Sequence, residues 1–135
     1  MKLKKGYQDL LKEAEAAIET VSVEQAKTML DDPDVQLIDI RDPRELERDG
    51  RIPGAVHCPR GMLEFWIDPE CKYYKEVFGT GKTFVFFCRS GWRSALATKT
   101  VQDMGLEPVC HIEGGFGAWK KAGGPVETEG PWKDE

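Results

Sequence analysis

Apolar positions recur along this chain in two rhythms, one of helical spacing and one of short continuous runs. From Tyr7 to Glu19, the residues Leu10, Leu11, Ala14, Ala17 and Ile18 fall on one broad face and predict a helix. Ser22 followed by Gln25 has the pattern of a capping box and predicts a second helix through Leu30. Asp31-Asp32-Pro33-Asp34 ends it, and Val35 to Ile40 is an apolar run short enough to be a buried strand. Pro43 opens a short helix around Glu45-Leu46-Glu47-Arg48, and Gly50 stops it. Ala55 to Cys58 reads as a brief strand, Arg60 to Trp66 as helical, and Asp68 to Phe78 keeps no single rhythm. Phe84 to Phe87 is the most strand-like run of all; beyond it Ala97, Val101 and Met104 recur at helical spacing, with Gly105 as C-cap. Pro108 to Ile112 predicts a last strand and Gly117 to Lys121 a last helix. From Gly123 on, the chain is rich in glycine, proline and charge and is expected to be a loose tail.

Strands alternating with helices predict an α/β fold, a central parallel β-sheet with helices on both faces. Parallel strands point the same way, so their C-terminal ends share one edge. That edge gathers Asp39-Ile40-Arg41, the stretch from Cys88 to Ser94, and Glu113-Gly114-Gly115. In open α/β sheets, ligands bind at this edge.

Composition narrows what the edge can serve. A chain of 135 residues suits one domain with a real core. Its 19 Lys and Arg against 24 Asp and Glu carry no footprint of nucleic-acid or membrane binding. The start Met1-Lys2-Leu3-Lys4-Lys5 has the charge of a signal peptide, but Lys12, Glu13, Glu15 and Glu19 stand where the apolar region should be. The chain holds no Asn, so N-glycosylation is ruled out, and the cytoplasm is the expected compartment. Cys58, Cys71, Cys88 and Cys110 form no C-x-x-C pair, which speaks against a zinc site or disulfide framework. Cys58 and Cys110 read as small hydrophobes inside strands and Cys71 as incidental.

Cys88 is different because a buried strand hands over to a helix there. The first N–H groups of a helix have no intrahelical partner and carry partial positive charge, so a thiolate is stabilised beside them. Arg89 and Arg93 add to the effect. Look-alikes elsewhere fail. Gly79-Thr80-Gly81-Lys82-Thr83 imitates a phosphate loop, but Glu76 stands where its first glycine belongs, and a strand follows rather than precedes it. His57-Cys58 lacks the arginine of a phosphatase loop, since Glu64 holds that position; His57 and His111 read as packed or surface histidines. Spacing then separates two chemistries. Cysteine phosphatases keep five residues between Cys and Arg, enough to surround a phosphate. Here four residues, Arg89 to Trp92, separate Cys88 from Arg93, and the smaller ring suits one extra sulfur atom.

With this loop on the page, the chain resembles the single-domain rhodaneses, thiosulfate sulfurtransferase-like proteins. The resemblance also rests on Leu37-Ile38-Asp39-Ile40-Arg41 with Glu45, on Gly50-Arg51-Ile52-Pro53-Gly54-Ala55, and on Glu113-Gly114-Gly115-Phe116-Gly117-Ala118-Trp119. Arg51 departs from it, since the family usually has histidine there. The likeness implies a rhodanese-like domain over 22–126, preceded by a helical extension over 1–21 and followed by a flexible tail over 127–135. It implies a thiosulfate sulfurtransferase in which Cys88 takes sulfur from thiosulfate as a persulfide and yields it to a thiol or cyanide. Backbone N–H groups of Arg89, Ser90, Gly91, Trp92, Arg93 and Ser94 would bind the persulfide, and the Arg89 and Arg93 guanidiniums would draw in the anion. Phe65, Trp66 and Trp92 are expected to rim the mouth. Asp39, Arg41 and Glu45 are expected to be structural, with Arg41 and Glu45 pairing four residues apart. Phe116 and Trp119 are expected to anchor the core. No cofactor or metal is expected. The alternatives are a persulfide carrier or interaction module delivering sulfur to an acceptor protein, and a cysteine phosphatase or arsenate reductase, which the loop length disfavours.

Overall fold

The computed structural model describes residues 1–128 and is built around a five-stranded sheet. Its strands are β1 (Glu19–Val21), β2 (Val35–Asp39), β3 (Val56–His57), β4 (Thr83–Phe87) and β5 (Val109–Ile112). They lie in the order β1-β5-β4-β2-β3, and every neighbouring pair is parallel. The helices are α1 (Tyr7–Ala17), α2 (Val23–Met29), α3 (Pro43–Asp49), α4 (Leu63–Ile67), α5 (Trp92–Asp103) and α6 (Gly115–Lys121).

Successive strand side chains point to opposite faces, and the core divides accordingly. Phe84 and Phe86 join Ile38 and Val109 on one face, against Leu63, Trp66 and Ile67 of α4 and Ala97 and Val101 of α5. Val85 and Phe87 join Leu37, Cys110 and Ile112 on the other, against Ala26 of α2 and Phe116 and Trp119 of α6. Phe84, Phe86 and Phe87 are at most 1% exposed, and each fully buried Phe contributes about 1.5–3 kcal/mol. The capping box expected at Ser22 is present: Ser22 Oγ accepts from the Gln25 N–H at 3.1 Å, and the Ser22 N–H donates to Gln25 Oε1 at 2.8 Å.

Four expectations need adjusting. The first helix stops at Ala17, Ile18 is extended, and Glu19–Val21 forms the edge strand β1 instead of a last helical turn. Only Val21 of that strand is buried, so no apolar rhythm marks it; its pairing with β5 makes it a strand. The stretch 1–21 thus ends as an edge strand of the sheet, and α1 packs on α5. Arg60 to Trp66 splits into a 3-10 turn, Arg60–Met62, followed by α4. The last helix begins two residues early, at Gly115. The expected loose end is held as far as Glu127: the Trp119 indole N–H donates to the Pro125 carbonyl at 2.9 Å, and Glu127 and Arg51 exchange backbone bonds at 2.8 and 2.9 Å. Residues 129–135 of the expected tail lie outside the described residues. Among the described residues, no helix is long and apolar enough to cross a membrane.

Candidate active site

Cys88 follows the last residue of β4, and three residues later Gly91 caps α5. Gly91 has φ +111°, a conformation that L side chains rarely adopt, and this turn lets the chain curl back over the sulfur. The Gly91 N–H donates to Cys88 Sγ at 3.2 Å and the Ser94 N–H at 3.4 Å; the thiol reaches Ser94 Oγ at 3.6 Å. The loop is held from behind by α6. The Phe116 N–H bonds the Cys88 carbonyl at 2.7 Å, and the Gly117 N–H bonds that of Arg89 at 3.0 Å. A Cβ on Gly115 would lie 2.4 Å from the Cys88 carbonyl oxygen, so only glycine lets α6 approach this closely.

The charged residues pair otherwise than expected. Arg41 bonds Asp39, Nη2 to Oδ2 at 2.7 Å and Nε to Oδ1 at 3.0 Å, with both side chains 1% exposed. Its guanidinium also donates to the Gly50 carbonyl and lies 4.1 Å over the Phe116 ring. Arg41 precedes α3, so it shares no helix face with Glu45, and the expected pair between them gives way. Glu45 instead receives both terminal nitrogens of Arg93, at 2.7 and 2.9 Å. This bidentate contact holds the Glu45 carboxyl below the usual carboxylate range and raises Arg93. Arg93 therefore ties α5 to α3, while Arg89 is exposed.

Beside the loop opens a cavity of about 470 Å³ lined by Ser90, Gly91, Trp92, His111, Glu113 and Gly114, with Glu15 and Thr20 completing the wall. Cys88 is 1% exposed and reaches this wall through its contact with Gly91. Of the three aromatic residues expected at the mouth, Trp92 is there. Trp66 is buried in the core with Ile67 and Phe78, and neither it nor Phe65, which is exposed, lines the cavity. Trp92 meets Tyr7 of α1 instead, with ring centroids 5.0 Å apart.

The sequence reads His111 as a packed or surface histidine, yet its Nδ1 lies 3.0 Å from Ser94 Oγ, and burial pushes its pKa down. A signal for it existed. His111 lies two residues before Glu113, at the C-terminal edge, and strand alternation puts it on the face of Val109 and Phe86, which α5 covers. Glu15 and Thr20 were out of reach without β1.

Comparisons with known proteins agree with this geometry. The family model for the rhodanese-like domain matches residues 22–122. A sulfurtransferase of Allochromatium vinosum is 31% identical, over 75% of this chain and 86% of its own. The polysulfide-sulfur transferase homodimer of Wolinella succinogenes has a TM-score of 0.68 and 30% identity, covering 90% of this chain and 86% of its own. A structure from Rhodopseudomonas palustris, described as a protein of unknown function and possible tyrosine phosphatase, has a TM-score of 0.91 and 56% identity over 94% of this chain and 98% of its own. The matched span takes in the loop from Cys88 to Ser94, the α6 clamp behind it and the Asp39–Arg41 pair beneath, and the chain belongs to the rhodanese-like family of sulfurtransferases.

Proposed function

We propose that the protein moves sulfane sulfur through a persulfide on Cys88. One observation carries the reading: the N–H groups of Gly91 and Ser94 stand 3.2 and 3.4 Å from Sγ, so negative charge on sulfur meets two fixed donors. The Cys88 thiolate attacks the outer sulfur of thiosulfate; the S–S bond to the sulfonate breaks and sulfite leaves with its electron pair. A thiolate or cyanide then attacks the outer sulfur of the persulfide, and the Cys88 thiolate is restored. The scheme needs no cofactor or metal, because the sulfur travels on the cysteine.

Arg89 remains to draw in an anionic donor, whereas Arg93 acts by holding the loop against α3. Handing the sulfur to an acceptor protein would use the same residues with a different final thiol. The cytoplasm, where small thiols are abundant, suits either acceptor. Phosphoryl transfer is disfavoured because four residues separate Cys88 from Arg93 and Glu45 already engages the arginine.

The test is sulfite release from thiosulfate with cyanide as acceptor, run beside hydrolysis of a phosphotyrosine peptide. Wild type should release sulfite, Cys88→Ser should fall to background, and the peptide should stay intact. Sulfite release by Cys88→Ser at the wild-type rate, or phosphate release without sulfite, would overturn the proposal.

A further inference from the structure

Ser94 touches two groups that can exchange a proton. Its Oγ lies 3.6 Å from Cys88 Sγ and 3.0 Å from His111 Nδ1, and Cys88, Ser94 and His111 are all buried. A polar side chain inside a buried strand needs a partner. Ser94 supplies it from the first turn of α5, the turn that also caps the sulfur. The ring lines the cavity as well, so the chain Cys88–Ser94–His111 runs from the nucleophile to solvent.

We propose that His111 is the proton acceptor for Cys88, acting through the Ser94 hydroxyl as a positioning and relay residue. In the resting state the thiol donates to Ser94 Oγ, and the Ser94 hydroxyl donates to an unprotonated Nδ1. On activation the Cys88 S–H bond breaks and its proton passes to Ser94 Oγ, while the Ser94 hydroxyl proton passes to Nδ1. The products are a thiolate receiving the Gly91 N–H, the Ser94 N–H and the Ser94 hydroxyl, and an imidazolium donating back to Ser94 Oγ. No oxidant or second reactant enters.

Charge around the ring fits both states. Burial keeps the imidazole neutral at rest, which is what an acceptor requires. Glu15 from α1 and Glu113 after β5 line the same cavity and favour the imidazolium once formed. The other facing groups are Thr20 and Ser94, which are uncharged, and Cys88 itself. Cys110, the neighbouring residue, points to the opposite face of the sheet.

The relay rests on Cys88 being the nucleophile, but it is tested without sulfur transfer, so the two can fail separately. In a Cys71→Ser background, Cys88 is labelled with iodoacetamide at graded pH and read on its own peptide. His111→Asn should slow labelling about tenfold near pH 6, with the difference closing near pH 9.5, where solvent base takes over. Ser94→Ala should show the same pH-dependent loss, and Ser94→Thr, which keeps the hydroxyl, should recover labelling at low pH. Rates that fall equally at all pH values would overturn the proposal. If these variants unfold, imidazole titration by NMR decides it: Cys88→Ala removes the thiol that turns the Ser94 hydroxyl toward the unprotonated Nδ1 and should move the His111 midpoint to higher pH, and an unchanged midpoint would refute the coupling.

Discussion

Cys110 lies in β5 and Cys88 directly follows the neighbouring β4, and both are almost wholly buried, at 2% and 1% exposure. Cys110 lies within β5, paired in register with Val85 and packed beside Val21, Ile112 and Trp119. Burial, with the charge of Glu19 adding to it, pushes its thiol up to about 11. Cys88 stands just past the end of β4, where backbone N–H groups no longer spent on strand pairing turn toward its sulfur. On the function proposed above, burial alone therefore does not decide which cysteine reacts. What differs is whether the surroundings offer donors to the anion, and parallel strands offer them only where they end.

The largest break in this contrast should come from the support behind the loop. Gly115→Ala would put a Cβ against the Cys88 and Arg89 carbonyl oxygens at 2.4 and 2.7 Å, with φ at +59°. We expect it to cost roughly 2–4 kcal/mol in urea unfolding and to cut sulfur transfer severely. Gly123→Ala, with φ +76° and open space around it, should cost only about 1 kcal/mol and leave transfer intact. Equal costs at the two positions would mean that α6 does not clamp the loop.

A smaller effect should follow from Arg93→Ala. Because Arg93 spends both terminal nitrogens on Glu45, its loss should lower turnover by a similar factor with thiosulfate and with an uncharged organic persulfide donor. A loss confined to thiosulfate would return Arg93 to direct contact with the anion. Arg89→Ala should do the reverse and weaken thiosulfate selectively, most clearly at low salt.

At neutral pH the smallest effect belongs to Cys110, whose contribution shows only in alkali. Its folded-state pKa is raised, so its stabilising contribution is complete below the ordinary value of 9.0 and is lost as pH climbs through about 11. Between those values the unfolded chain gives up the proton and the folded one keeps it. Wild type should lose on the order of 2 kcal/mol more than Cys110→Ala over that interval, read by denaturant melts. Parallel curves would place Cys110 in a wetter site than its neighbours imply.

Much of this was legible in the sequence because the core strands are unmistakable. Phe84 to Phe87 and Val35 to Ile40 could be little else, and once they were parallel the edge carrying Cys88 followed. Capping at Ser22 and the stop at Gly50 rest on local chemistry, and local chemistry is what a sequence displays. The parts that were hidden depend on distant partners. β1 has one buried side chain and exists through its pairing with β5. Arg41 and Glu45 invited a pairing by spacing that the helix boundary forbids, and Arg93, far along the chain, took the carboxylate. Trp66 looked like a mouth residue because large aromatics serve either role, and only packing assigns it to the core. His111 gained its meaning from Ser94, seventeen residues earlier.

The claim that donors, and not burial, select the nucleophile is tested most directly by locating the sulfur. The protein is incubated with thiosulfate or polysulfide, its persulfides are trapped, and peptides are mapped by mass spectrometry before and after cyanide. The account predicts one added sulfur on the Cys88 peptide, removed by cyanide, and none on the Cys110 peptide. Added sulfur on Cys110 or Cys71, or turnover with Cys88 never carrying sulfur, would contradict it.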